Sequence, residues 1–507
     1  MNHIRKLLLA IRVIGFPILL YCPINPVIQA SLETCIEALK VECAPLSHCF
    51  NPPPMNSAQL APVAATAPET VERRAISKIP GEAWMEIFKW TMDGQPPFDI
   101  SQTHEGPWLL GRVCSAWRDL VIGRSPLWAN FKLDVPLPSA QSYCDLLQSV
   151  LRRSGGLPLT FSLTIEETST GIILIPVLVK EIKRWKRASI IAHRSILGLI
   201  SDEYTELTIA DGHTASSEET APALLELIDL MAFDDTHALW MWSGEVFSNA
   251  PRLHSVHLVG VFTEDIPWQQ LTDLCIGKII LSDVLNILSH CVKLRHLRLP
   301  RGFVMEADLA YSSSSTEGSA DTSPEPEEEN LAPKEGSFLG GTPQSKITLA
   351  DLQEVEVFDP EILGHLHAPS SKTLNINATL VFDPDATLND FTTLSNFFTS
   401  CSTIQVLDVA ISGFDVNYLE ELFPLMPEVH DLRVKVCSIE ENFQGGAGHL
   451  LDSLKTGLPM LKKLTLDGEG ALFSEEKLKD MLETREAEGC GLSRVKISSS
   501  LSIRSDD

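Results

Sequence analysis

A chain of 507 residues is longer than one hydrophobic core fills, and the length predicts roughly two to four domains, or repeats drawn out into one elongated unit. Apolar residues at 44% and charged residues at 21% are ordinary for a globular protein, but a net charge of -27 is not. Such an acidic excess argues against nucleic acid as a general partner, because phosphate neutralisation needs clustered Lys and Arg.

The chain begins with Ile4-Arg5-Lys6 and an apolar run over 7–20, broken by Arg12 and Pro17 and followed by Ile28-Gln29-Ala30. Residues 1–30 thus read as a secretory signal, an amphipathic leader or a misassigned start, three readings that stay open. The run falls short of the about 20 apolar residues of a membrane span, so no stable span is expected. Residues 31–75 are rich in Pro, Ala and Ser and read as a disordered linker. Eleven cysteines are scattered without a C-x-x-C pair, which favours free thiols over a zinc site or a disulfide scaffold.

Over 76–131, three apolar clusters are separated by turn residues, which predicts three small helices. Pro80 stands where a helix starts, and Trp84, Ile87 and Phe88 follow at i, i+3 and i+4 on one face. A loop over 94–106 separates them from Leu109, Leu110, Val113, Cys114 and Trp117, a second apolar stripe. Ser125-Pro126 then opens a turn carrying Trp128 and Phe131.

Ile79-Pro80, Ile87-Phe88, Val113-Cys114-Ser115-Ala116-Trp117-Arg118 and Pro126-Leu127-Trp128 together resemble the F-box in its divergent fungal form. Ala83-Trp84 and the stretched 94–106 loop depart from that family's pattern. The resemblance implies docking to a Skp-type adaptor and, through it, to a cullin, with Ile79, Pro80, Ile87, Leu109, Leu110, Val113 and Trp117 as adaptor contacts.

Past Phe131 the pattern changes. An amphipathic helix over 143–153 ends at Gly155-Gly156, and residues 157–165 alternate as a strand does. A Leu-x-x-Leu-x-Leu signature, preceded by Cys or Pro, then recurs around Leu253, Leu294, Ile404, Val429 and Leu461, with a related copy over 221–230 and weaker ones over 349–357, 374–376 and 492–497. This predicts an α/β fold in which the helical module is followed by an irregular leucine-rich-repeat solenoid. Its parallel sheet would be concave, with helices outside, in two parts over 140–305 and 345–500. A non-repetitive α/β domain is the alternative. Residues 306–344, Ser-rich and acidic, read as a disordered surface loop between the two parts. The basic run Lys180-Glu181-Ile182-Lys183-Arg184-Trp185-Lys186-Arg187 reads as a solvated helix face with Ile182 and Trp185 turned inward.

No nucleophile elbow, phosphate loop, metal signature or dinucleotide fingerprint is found in the sequence, so no catalytic residue, metal or cofactor is expected. His254, His257, His290 and His296 read as residues of strands and turns rather than ligands. The resemblance implies a non-catalytic substrate-recognition subunit of a Skp–cullin–F-box ubiquitin ligase, cytoplasmic or nuclear, whose repeats hold a protein target. The alternative is a repeat-based protein-binding scaffold without a link to ubiquitination. Arg252, His254, Arg295, His296, Arg298, Arg433, Lys462 and Lys463 occupy variable repeat positions that suit an acidic target.

Overall fold

The computed structural model describes residues 81–92, 97–135, 140–210, 221–233, 243, 245–263, 265–300, 346–377, 387–412, 421–438, 444–468 and 475–497. The expected leader, linker and acidic loop lie outside the described residues, as do Ile79 and Pro80. The chain divides into two compact units, 1–93 with 107–122 and 94–106 with 123–507.

The first unit contains α1 (Gly81–Met92), α2 (Gly106–Leu110) and α3 (Ser115–Ile122). Trp84 and Phe88 are one helical turn apart on α1 and stack with centroids 5.9 Å apart. Trp117 of α3 meets both rings edge-on, at 4.8 and 5.0 Å. Phe88 is fully buried and Trp117 nearly so, and these three rings form the packed centre of the described helices.

The second unit is α/β, with one long parallel sheet. Its strands are β1 (Phe98–Asp99), β2 (Asn130–Val135), β3 (Leu159–Ile165), β4 (Trp185–Ala192), β5 (Leu227–Ala232), β6 (Ser255–Val259), β7 (Asp273–Gly277) and β8 (His296–Leu299). After β9 (Ile347–Thr348) come β10 (Glu354–Val357), β11 (Leu366–His367), β12 (Thr373–Ile376), β13 (Val406–Ser412), β14 (Asp431–Ser438), β15 (Lys463–Gly468) and β16 (Arg494–Ile497). β9 and β11 pair with each other, and the other fourteen form the sheet in the order of the sequence. The sheet starts inside the 76–131 stretch, because the segment expected as a loop over 94–106 carries β1.

The connections are α4 (Ala140–Arg153), α5 (Thr168–Val179), α6 (Arg194–Ala210), α7 (Glu245–Ser248), α8 (Leu281–His290), α9 (Thr387–Ser400), α10 (Gln444–Ser453), α11 (Glu475–Ala487) and several 3-10 turns. Burial alternates along the strands, as in β3, where Leu159, Phe161, Leu163 and Ile165 are buried and the residues between them half-exposed. Parallel sheets covered on both faces carry continuous apolar runs, so this alternation assigns the core to one face only.

Two apolar rows run across that face. One passes through Phe131, Phe161, Ala188, Ile228, Val256, Leu274, Leu297, Val355, Leu374, Leu407, Leu432 and Leu464, all buried. The other lies two residues further along each strand. Three residues before the first row sits a buried anchor, Leu225, Leu253, Leu271, Leu294, Leu352, Ile404, Val429 or Leu461, and three before that a second buried residue. The anchor N–H donates to the carbonyl of that earlier residue, as from Leu253 to Ala250, Leu271 to Trp268 and Leu294 to Cys291. The backbone entering each strand repeats as well. The carbonyls of Glu226, His254, Thr272, Arg295, Gln353, Lys372, Gln405, His430 and Lys462 each accept two successive N–H groups of the next strand's entry.

Residues 180–187 fit this frame and not a helix. α5 ends at Val179, Ile182–Arg184 form a 3-10 turn and Trp185 opens β4. Ile182 and Trp185 do turn inward, at 3% and 0% exposure.

One anchor is polar. Ser371 is fully buried, and its Oγ has no hydrogen-bond partner among the described residues. Ser371→Ala is expected to raise unfolding free energy by about 1 kcal/mol in urea titration, since it removes a desolvated hydroxyl and leaves the backbone bonds in place. A loss of stability would show that the hydroxyl is satisfied.

Candidate functional site

Two surfaces carry the candidate residues, one in each unit. In the helical unit, Ile87 lies on α1, Leu109 and Leu110 on α2, Val113 in the turn after it, and Trp117 on α3. Leu110 and Trp117 are buried, whereas Ile87, Leu109 and Val113 are half-exposed. Ile122, at the end of α3, is 44% exposed. The turn between α2 and α3 is tied by Arg118, whose Nε donates to the Gly111 carbonyl at 3.0 Å. The Trp117 indole N–H is buried without a hydrogen-bond partner among the described residues.

In the sheet unit the second surface is the face opposite the apolar rows. Between the two core residues of each strand lies one outward residue, and register aligns these into a row: Ser162, Ser189, Asp229, His257, Cys275, Arg298, Glu356, Asn375, Asp408, Arg433, Thr465 and Lys496. Neighbours in such a row are about 4.8 Å apart along the hydrogen-bonding direction. A flanking row, two residues earlier along each strand and so on the same face, holds Asp273, His296, Glu354, Thr373, Val406, Asp431, Lys463 and Arg494.

Cross-strand polar contacts hold these rows. Ser189 Oγ donates to Asp229 at 2.8 Å, His296 Nδ1 meets Asp273 Oδ1 at 2.6 Å, and Asn377 Nδ2 donates to Glu356 at 2.9 Å. Arg433 lies 3.8 Å from Asp408 and 3.7 Å from Asp431, and Asp431 also faces Lys463 at 3.8 Å. Partial burial raises the Asp408 carboxyl, and the Arg433 charge opposes that rise. Burial likewise lowers His257, against the pull of Asp229 and with the push of Arg298.

Asp229, His257 and Cys275 stand on three adjacent strands, the order in which a carboxylate, an imidazole and a thiol nucleophile would be arranged. Among the described residues no hydrogen bond joins them, and burial pushes the Cys275 thiol up to about 11. Such a thiol is about one part in ten thousand thiolate at neutral pH, and a thiol attacks only as thiolate. Among the described residues no group of three or more His, Cys, Asp and Glu side chains is placed to hold a metal ion, and no helix is long and apolar enough to cross a membrane.

The basic positions singled out from the sequence divide in two. His296, Arg298, Arg433 and Lys463 project on the polar face, whereas Arg252, His254, Arg295 and Lys462 occupy the turns that lead into strands. Sequence reasoning missed Asp229, Cys275, Glu356, Asp408, Lys435, Arg494 and Lys496. Most stand at the x of Leu-x-Leu, and identifying that x as outward requires knowing that both flanking residues face the core.

No protein-family model matches the chain, and no curated protein sequence matches it.

Proposed function

We propose that the protein is a substrate-recognition subunit of a Skp–cullin–F-box ubiquitin ligase: the helical unit docks a Skp-type adaptor, and the sheet unit is a leucine-rich-repeat solenoid that holds a protein target. The observation that carries the second half is the recurring entry junction, in which one carbonyl accepts two N–H groups of the next strand at nine successive steps. A doubly wound α/β domain covers both faces of its sheet and has no reason to repeat one backbone junction; a solenoid repeats it because each unit is built on the last. Its open face then presents aligned rows of outward side chains, a surface suited to reading another protein.

The first half is supported by the helical unit. Ile87, Leu109 and Val113 are half-exposed beside a packed Trp84–Phe88–Trp117 centre, and a partner that covers them would remove apolar surface from water. In this reading the chain catalyses nothing itself. It raises the effective concentration of a bound target near a charged ubiquitin-conjugating enzyme, replacing a bimolecular encounter with an intramolecular one.

The test is capture of the adaptor by the full chain. Substituting Ile79, Pro80 and Trp117 together by Ala is expected to abolish co-purification of the adaptor and cullin while the sheet unit keeps its hydrogen-exchange protection. Leu109→Asp, at a half-exposed position, is expected to do the same without touching the aromatic centre. Undiminished capture by both variants would refute adaptor docking. A wild-type chain that recovers neither adaptor nor cullin would favour the scaffold reading.

A further inference from the structure

The last three strands carry a cationic surface on a strongly anionic protein. On the polar face of β14, β15 and β16, register places Asp431, Lys463 and Arg494 in one row, Arg433, Thr465 and Lys496 in the next, and Lys435 and Asp467 in a third. Five cationic side chains therefore share a patch about three strands wide with two carboxylates, whereas the whole chain carries -27. Arg433, Lys435, Lys463, Arg494 and Lys496 are all exposed.

The carboxylates are unevenly used. Asp431 is nearly buried and draws on Arg433 and Lys463 together. Among the described residues Arg494 and Lys496 have no ion-pair partner, and Lys435 has only a longer-range attraction to Asp408 of β13, which already faces Arg433 at 3.8 Å. Keeping like charges on neighbouring strands is unfavourable, and an anionic occupant relieves that repulsion.

We propose that this face of β14–β16 is the docking site for an acidic peptide segment, rich in Asp and Glu, of the protein's target. The inference rests on reading the polar face as the target-holding surface, and it is independent of adaptor docking. A peptide fits better than a nucleic acid. The surrounding protein repels an extended polyanion, and Asp431 and Asp467 interrupt the patch, whereas a short segment places its carboxylates between them.

The probe is a fluorescein-labelled poly-glutamate peptide titrated with the full chain and read by fluorescence anisotropy, beside a labelled single-stranded oligonucleotide. Poly-glutamate is expected to bind with an affinity that falls as salt is raised from about 0.05 to about 0.3 M, because the screening length shortens to about 6 Å over that range. The triple variant Lys435→Glu, Arg494→Glu, Lys496→Glu is expected to weaken it at least about tenfold. The corresponding triple Gln variant should fall between the two, and both should melt at the wild-type temperature, since these side chains are exposed. Equal affinity in wild type and both variants, or tighter binding of the oligonucleotide than of poly-glutamate, would overturn the proposal. Adaptor capture is measured on the same variants and should not change. If the wild-type chain binds poly-glutamate but captures no adaptor, adaptor docking fails and this site stands.

Discussion

Trp185→Ala is expected to cost about 4 kcal/mol of unfolding free energy, although the residue lies within the most basic run of the sequence. Trp185 is fully buried, its ring meets Phe161 edge-on at 5.1 Å, and its indole N–H donates to the Leu178 carbonyl at 3.2 Å. The substitution therefore opens a large cavity at the start of β4 and also removes the indole's hydrogen bond to the Leu178 carbonyl, which keeps the backbone N–H of Glu181 at 2.9 Å. Trp185→Phe retains most of the volume and loses only the hydrogen bond, and a cost of about 1–2 kcal/mol is expected. Lys183→Ala, two residues away and exposed, should stay within about 0.5 kcal/mol. Urea unfolding followed by hydrogen exchange on β3, β4 and α5 makes the comparison. If Trp185→Ala were as mild as Lys183→Ala, Trp185 would not be the buried residue that closes the entry of β4.

That residue also explains where the sequence misleads. Ile182 and Trp185 are three apart, as on one face of a helix, but three is also the spacing between the two buried positions at the entry of each main-sheet strand from β4 to β15. A single pair cannot separate the two causes; the neighbouring copies do. Where a strong helix precedes the turn, as α8 does before Leu294, Leu297 and Leu299, the pattern reads correctly from the sequence. Leu271, Leu274 and Ile276 have the same spacing and form β7, yet only a 3-10 turn, Trp268–Gln270, precedes them, so the helix half of the signature is missing. β1 is two residues long and follows Pro96 and Pro97, too short for any alternation to register.

The candidate surfaces are legible to different depths. In the helical unit the i, i+3, i+4 spacing of Trp84, Ile87 and Phe88 is enough to bring Phe88 inward, but contact with Trp117 joins residues almost thirty positions apart and follows only from the fold. On the sheet, the cationic patch combines residues from three strands that no local window contains together. Lys435, Arg494 and Lys496 look like ordinary surface charges until register sets them side by side.

Stability at that end of the sheet is expected to hang on Arg485, and Arg485→Leu should cost about 3–4 kcal/mol. The side chain is 1% exposed on α11, and among the described residues no carboxylate forms an ion pair with it within 4.0 Å. Its guanidinium instead donates to four carbonyls: Nη1 to Leu454 at 2.6 Å and Gly457 at 2.8 Å, Nη2 to Leu458 at 2.9 Å and Nε to Cys490 at 3.2 Å. Leu454 and Gly457 follow α10, where orphan carbonyls and the negative end of the helix dipole favour a cation. Leu458 sits at φ 53°, a left-handed conformation that a leucine adopts only when its surroundings hold it there. One arginine thus fixes the turn that enters β15 and the turn that enters β16. Arg485→Lys keeps the charge but not the planar fork, and should recover less than half of the loss. Hydrogen exchange is expected to rise across α10, β15, α11 and β16 in Arg485→Leu while β2 to β8 stay protected. Because β15 and β16 carry Lys463, Arg494 and Lys496, poly-glutamate binding should fall in the same variant although no residue of the patch is changed. Intact protection of β15 and β16 in Arg485→Leu would show instead that the apolar rows hold these strands without it.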